Sequence, residues 1–211
     1  QLMARLRSSR TKDPETLAWL NPRPLRADWR DAFASEEFFQ GASDRAAQLG
    51  YQLDVIAGHE TGLTARRLTR ILQTRSIVGV LIAPLPGIPE TVPLDWSCFA
   101  AATYGYTVLE PPLHRACNHH PRIIRRGLSE AIARGYRRPG LMISKTDNLR
   151  VDEGWTAGFL SFQLHLPDDD HVPVLLYEQN DVALAARWLD RHKPDVVFAH
   201  STDELKAIRA T

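Results

Sequence analysis

Apolar residues in this chain fall into short unbroken runs that alternate with longer stretches in which they recur every three or four positions. The runs Thr16–Leu20, Tyr51–Ile56, Ile77–Ile82, Leu141–Ser144, Val172–Tyr177 and Asp195–Ala199 read as strands. Ser97–Thr103 and Tyr106–Leu109 read as two more short strands. Between them, Glu36–Leu49 places Phe38, Phe39, Ala42, Ala46 and Leu49 on one helical face, and Thr64–Thr74 does the same with Leu68, Ile71 and Leu72. Pro121–Arg134, Val151–His165 and Val182–His192 continue the pattern, and Thr202–Arg209 begins a further helix. Ser35, followed by two acids, is a plausible N-cap. Ile77–Ile82 has no polar position, as expected of a strand covered on both faces. Gly50 and Gly135 stand where helices hand over to strands, a position that favours a residue without Cβ because the backbone turns left-handed there. The alternation predicts an α/β fold of parallel sheets flanked by helices, with ligands at the carboxyl ends of the strands.

The strands group into two lobes, residues 14–134 and 135–211, preceded by residues 1–13. Residues 1–10 read as a short basic amphipathic helix with Leu2, Met3 and Leu6 on one side. The helix opening at Thr202 is cut short, so the second lobe reads as incomplete at its C-terminus. The chain has 211 residues, 44% of them hydrophobic, enough for a sizeable core. Lys and Arg number 26 against 25 Asp and Glu, a balance that argues against a nucleic-acid surface on the body of the chain. The charge is uneven: Arg5, Arg7, Arg10 and Lys12 make the N-terminus a basic arm without an acid. Cys98 and Cys117 show no Cys-x-x-Cys spacing and read as reduced, largely buried thiols of a cytoplasmic protein. No run is long and apolar enough to span a bilayer, and no secretory signal is visible.

The loops narrow the chemistry. No Gly-x-Gly-x-x-Gly follows a strand and no phosphate-loop motif occurs. The strand ends carry proline instead, in Asn21-Pro22-Arg23-Pro24 and Pro84-Leu85-Pro86, where a phosphate cradle needs backbone N–H donors. His114, His119 and His120 cluster around Cys117 without the spacing that would put two imidazoles on one helical face, so no metal is expected. No Gly-x-Ser-x-Gly elbow is present, and Ser43, Ser129 and Ser161 lie inside helices. Asp168-Asp169-Asp170 reads as a solvated turn. No cofactor and no enzymatic activity is indicated. The connection after the first strand carries Asp28, Trp29, Arg30, Asp31 and Phe33. An indole face beside carboxylate and guanidinium groups suits a polyol or sugar, although Trp29 and Phe33 also serve to staple such a loop onto the next helix. Asn148, Arg150, Asp152, Glu153 and Trp155 form a second polar and aromatic group at a strand end in the other lobe.

The order and spacing of these segments resemble the effector-binding core of LacI/GalR-type bacterial transcriptional regulators. Phe38–Tyr51 (FFQGASDRAAQLGY), Leu72–Pro84 (LQTRSIVGVLIAP) and Leu128–Ile143 (LSEAIARGYRRPGLMI) are similar to that family's successive signatures. Gly158-Phe159 fits its Gly-Phe helix, and Thr202-Asp203 falls where the family usually has Asn-Asp. The arginine that the family usually carries three positions before its Gly-Phe pair is Trp155 here. The resemblance implies a two-lobed, periplasmic-binding-protein-like (type I) fold. It also implies a homodimer that is not membrane-bound, and a small-molecule effector of sugar class in the inter-lobe cleft. Effector contacts would come from Asp28, Trp29, Phe33 and Pro84 in one lobe, and from Arg150, Glu153, Trp155 and Asp203 in the other. Gln1–Thr11 looks like the family's hinge, with Leu6 as the wedge that enters the minor groove of operator DNA and Arg5 and Arg7 on phosphates. The DNA-binding domain itself would lie upstream of residue 1. The same architecture also serves solute-binding proteins of sugar transporters, which is the rival reading.

Overall fold

In the computed structural model, which describes residues 14–21, 35–58, 64–85, 92–178, 182–200 and 206, β1 (Glu15–Asn21) sends alternate side chains to two sides of a sheet. Its partners are β2 (Tyr51–Ala57) and β3 (Ile77–Ile82), both parallel to it. β4 (Ala100–Tyr104) and β5 (His114–Ala116) extend the sheet, giving the order β2-β1-β3-β4-β5. Ala18, Leu20, Ile56, Val80 and Ile82 meet Leu68 and Leu72 of α2 (Ala65–Thr74) in a closed core. α2 starts where expected because the Thr64 hydroxyl accepts the Arg67 N–H at 3.2 Å. The other face lies under α1 (Ser35–Gln48), whose Phe39 meets Trp19 edge-on at 5.7 Å and whose Phe38 lies 4.0 Å from the Tyr104 ring.

A second sheet, of order β7-β6-β8, is formed by β6 (Pro139–Ser144), β7 (Leu175–Tyr177) and β8 (Val196–Ala199), again all parallel. Leu141 and Ile143 of β6 join Ile124 and Leu128 of α3 (His120–Ala133) and Phe159 of α5 (Gly154–Gln163). Met142, on the opposite face, joins Val172, Leu175 and Trp188 of α6 (Val182–His192). Close approach here depends on absent side chains. A Cβ on Gly127 would stand 2.8 Å from the Phe198 ring, one on Gly140 would strike Trp188, and one on Gly158 would strike Ile124 and the Pro121 backbone. Asp195 fixes the start of this sheet by accepting the Arg137 and Arg138 N–H groups at 2.6 and 2.9 Å.

The chain divides into two compact units after Ala116, not at Arg134 as the sequence suggested. The reason is α3, which packs on α5 through Ile124 and Gly158 and so belongs with the second sheet. Each unit is a parallel sheet flanked by helices, as the alternation predicted. Other differences are local. Gly50 and Gly135 have φ of 82° and 95°, but Ser76 and Lys193 take the same left-handed step after α2 and α6 without being glycine. Ser97 does not open a strand, because Asp95 accepts its N–H at 3.2 Å and its hydroxyl at 2.6 Å, closing a 3-10 turn over Trp96–Cys98. Tyr106–Leu109 is not the next strand either. It is held as a loop by Arg115, which donates to the Gly105 and Val108 carbonyls, and the true edge strand is the exposed β5. The helix expected over Val151–His165 begins later, as α5, and a short helix that was not expected, α4 (Lys145–Leu149), precedes it. Both cysteines are free, as expected, but exposed rather than buried. The basic arm of residues 1–10 and the helix from Thr202 lie outside the described residues.

Candidate functional site

In each unit the strands run parallel, so their carboxyl ends gather on one edge. In the first unit these ends are Asn21, Ala57, Ile82 and Tyr104. Pro84 stands there, half-buried, and the following turn is fixed by the Leu85 N–H donating to the buried Thr107 hydroxyl at 2.8 Å. Asp28, Trp29 and Phe33 lie outside the described residues. On the α1 face of this unit a cavity of about 430 Å³ is lined by Trp19, Phe38, Leu81, Ala102, Tyr104 and Arg115, among others.

In the second unit the carboxyl ends carry a cluster of aromatic and titratable groups. β6 ends at Ser144, whose hydroxyl caps α4 by accepting the Asp147 N–H at 3.0 Å while also lying 2.7 Å from the Asp147 carboxylate. β8 ends at Ala199, and the next residue, His200, brings Nδ1 within 3.7 Å of the same carboxylate. Trp155, on the first turn of α5, lies between two imidazoles. Its ring is 4.8 Å from that of His120 and 5.9 Å from that of His200, edge-on in both cases. The Trp155 indole nitrogen is buried without a hydrogen-bond partner, so one donor is left unspent. Burial first, and then the neighbouring His200 and His119, holds the His120 imidazole below its ordinary pKa, favouring the neutral ring.

Asn148 proves to be a brace. Its buried side chain donates to the Thr156 hydroxyl at 2.9 Å and accepts the Thr156 N–H at 3.3 Å, while its backbone carbonyl accepts the Glu153 N–H at 2.9 Å. These bonds hold Asp152 and Glu153 in consecutive left-handed conformations, φ 53° and 54°, a strained turn for residues with a Cβ. That turn sets where α5 begins and therefore where Trp155 stands. Of the residues singled out in this unit, only Trp155 is brought into the cluster. Arg150 ends α4, half-buried, Glu153 is exposed, and Asp203 lies outside the described residues, as do the hinge residues Arg5, Leu6 and Arg7. His120, Asp147 and His200 were not singled out as ligand-binding. A signal existed for Asp147, since Ser144-Lys145-Thr146-Asp147 has the spacing of a helix-capping motif directly after a strand. His114, grouped with His119 and His120 by sequence, belongs to β5 of the first unit, and among the described residues no three His, Cys, Asp or Glu side chains could hold a metal ion. No helix among them is long and apolar enough to cross a membrane.

No protein-family model and no curated protein matches the sequence. Solved structures do. A LacI-family transcriptional regulator from Rhizobium etli aligns with a TM-score of 0.66 over 93% of this chain and 72% of that one, at 15% identity. A complex of the transcriptional regulator CelR with cellobiose gives 0.62 over 93% and 63%, at 20% identity. The lac repressor dimer bound to operator and the anti-inducer ONPF gives 0.61 over 100% and 73%, at 13% identity. The fold of this chain is that of LacI-family transcriptional regulators, with their parallel sheets flanked by helices.

Proposed function

We propose that this chain is the effector-binding and dimerisation core of a DNA-binding transcriptional regulator of LacI type. In this reading a small polyhydroxylated molecule of sugar class binds in the cleft between the lobes. The observation that carries it is the cluster at the carboxyl ends of β6 and β8, on a fold shared with regulators, one of which is solved with a sugar. Trp155 supplies an apolar face and an unspent donor, Asp147 an acceptor, and the neutral His120 ring suits a hydroxyl that both gives and takes a hydrogen bond. Asp28, Trp29, Phe33 and Pro84 would contribute from the first lobe, and Arg150, Glu153 and Asp203 from the second. Upstream, Arg5, Leu6 and Arg7 would form the hinge that meets operator DNA, and ligand binding would act by favouring one spacing of two such hinges over another. The similarity to regulators favours this reading over a transporter's solute-binding protein, and no enzymatic step is assigned.

The test is a thermal-shift screen against neutral sugars and sugar acids, followed by titration of any hit. Trp155→Ala and Asp147→Asn should each weaken binding about tenfold or more. A hit whose affinity neither substitution changes removes the cluster from the site. Sedimentation of a clean monomer at high concentration removes the dimerisation role.

A further inference from the structure

We propose that the first turn of α3, which follows directly on the junction between the two units, is a pH-sensitive helix cap that opens on mild acidification. The cap is a histidine. His119 Nδ1 accepts the Arg122 N–H at 3.2 Å, while the His119 carbonyl accepts the N–H groups of Arg122 and Ile123, each at 3.0 Å. Helices are usually capped by Ser, Thr, Asp or Asn. α2 and α4 follow that rule through Thr64 and Ser144, whose hydroxyls do not titrate near neutrality. A ring nitrogen accepts a hydrogen bond only while it is unprotonated, because both nitrogens of an imidazolium are donors. Protonating His119 therefore removes the side-chain cap and sets a cation at the positive end of the helix dipole.

The surroundings reinforce this direction. His120 occupies the first helical position with its ring edge-on to Trp155, and His200 approaches Trp155 as well. Burial and the two other imidazoles oppose charge on His120, so the folded turn binds its proton less readily than the unfolded chain does. That contribution is complete above the ordinary imidazole pKa of about 6.5 and is lost as the pH falls below it. The other charged groups here are Arg122 on α3, Asp147 on α4, and Asp152 and Glu153 before α5. Arg122 adds positive charge. Asp147 places its carboxylate 3.7 Å from His200 Nδ1. Asp152 and Glu153 are exposed and screened by solvent. The Arg122 N–H then keeps only the His119 carbonyl, at 3.0 Å, and no carboxylate takes over the side-chain half of the cap. Opening this turn frees the stretch from Cys117 to Arg122, the point where the chain enters the second unit, while the Leu128 end of α3 stays anchored in its core.

The test is amide hydrogen exchange on the whole chain between about pH 7.5 and 5.5, corrected for intrinsic exchange and referenced to α6. Protection of the Arg122 and Ile123 amides should fall about five- to tenfold more than that of α6. His119→Asn, a strong cap that does not titrate, should keep protection nearly level, and His119→Ser should do the same if the Asn variant folds poorly. A wild-type turn whose protection tracks α6 overturns the proposal. So does a fall that persists undiminished in the capping variants.

Discussion

The two units solve the same problem, a parallel sheet needing cover on both faces, with unequal thoroughness. In the second, β6 is buried on both sides, between α3 and α5 on one face and α6 on the other. In the first, one face is a closed core of Leu20, Leu68, Leu72, Val80 and their neighbours. The other has α1 over part of it and the apolar cavity over the rest. Leu81 and Ala102 are only half-buried there, and Ala100 and Ala116 are exposed. The shorter sheet is closed by glycines set against aromatic rings, whereas among the described residues one helix lies across the cavity face of the longer sheet.

Paired truncations sharpen or break this contrast. Leu72→Ala, in the closed core of the first unit, should cost about 2–5 kcal/mol in urea unfolding, whereas Leu81→Ala, beside the cavity on the opposite face, should cost about 1 kcal/mol or less. Equal costs would mean that the cavity face is as well filled as the core. The second unit offers a polar counterpart. Asn148→Ala removes both side-chain bonds to Thr156 at the start of α5, for an expected loss of about 1–3 kcal/mol. The same substitution should also shift Trp155 emission toward that of a more exposed indole. Unchanged emission would show that the brace does not position the cluster.

Much of the architecture was legible because it rests on periodicity. Ile77–Ile82 and Val182–His192 match the structure at both ends, and α2 misses by its capping Thr64 alone. The failures share a cause, polar contacts made across the chain. β5 is His114–Ala116, exposed throughout, so it carries no hydrophobic signal, and Arg115 holds the apolar Tyr106–Leu109 segment through the Val108 carbonyl and the preceding Gly105 carbonyl. The late start of α5 goes with Asn148 reaching Thr156 eight positions on, a contact that no hydropathy pattern records. The candidate site was half legible for the same reason. Trp155 stands out as an aromatic on a strand-end helix, but His120, Asp147 and His200 come from separate segments, and only the parallel sheet brings them together.

The glycines of the helices carry a consequence for anyone wishing to make this chain more robust. Replacing a helical glycine by alanine is a common stabilising step, worth about 0.5–1 kcal/mol where the backbone permits it. Gly41 in α1 meets nothing within 4 Å of an added methyl group and should respond in that way. Gly127 and Gly158 look identical to it in sequence, each inside a helix, yet a methyl group there would drive into Phe198 or into Ile124 and Pro121, and Gly158→Ala should lower stability by about 1–3 kcal/mol. A consensus-minded engineer who treated the three alike would gain at one site and lose more at the other two.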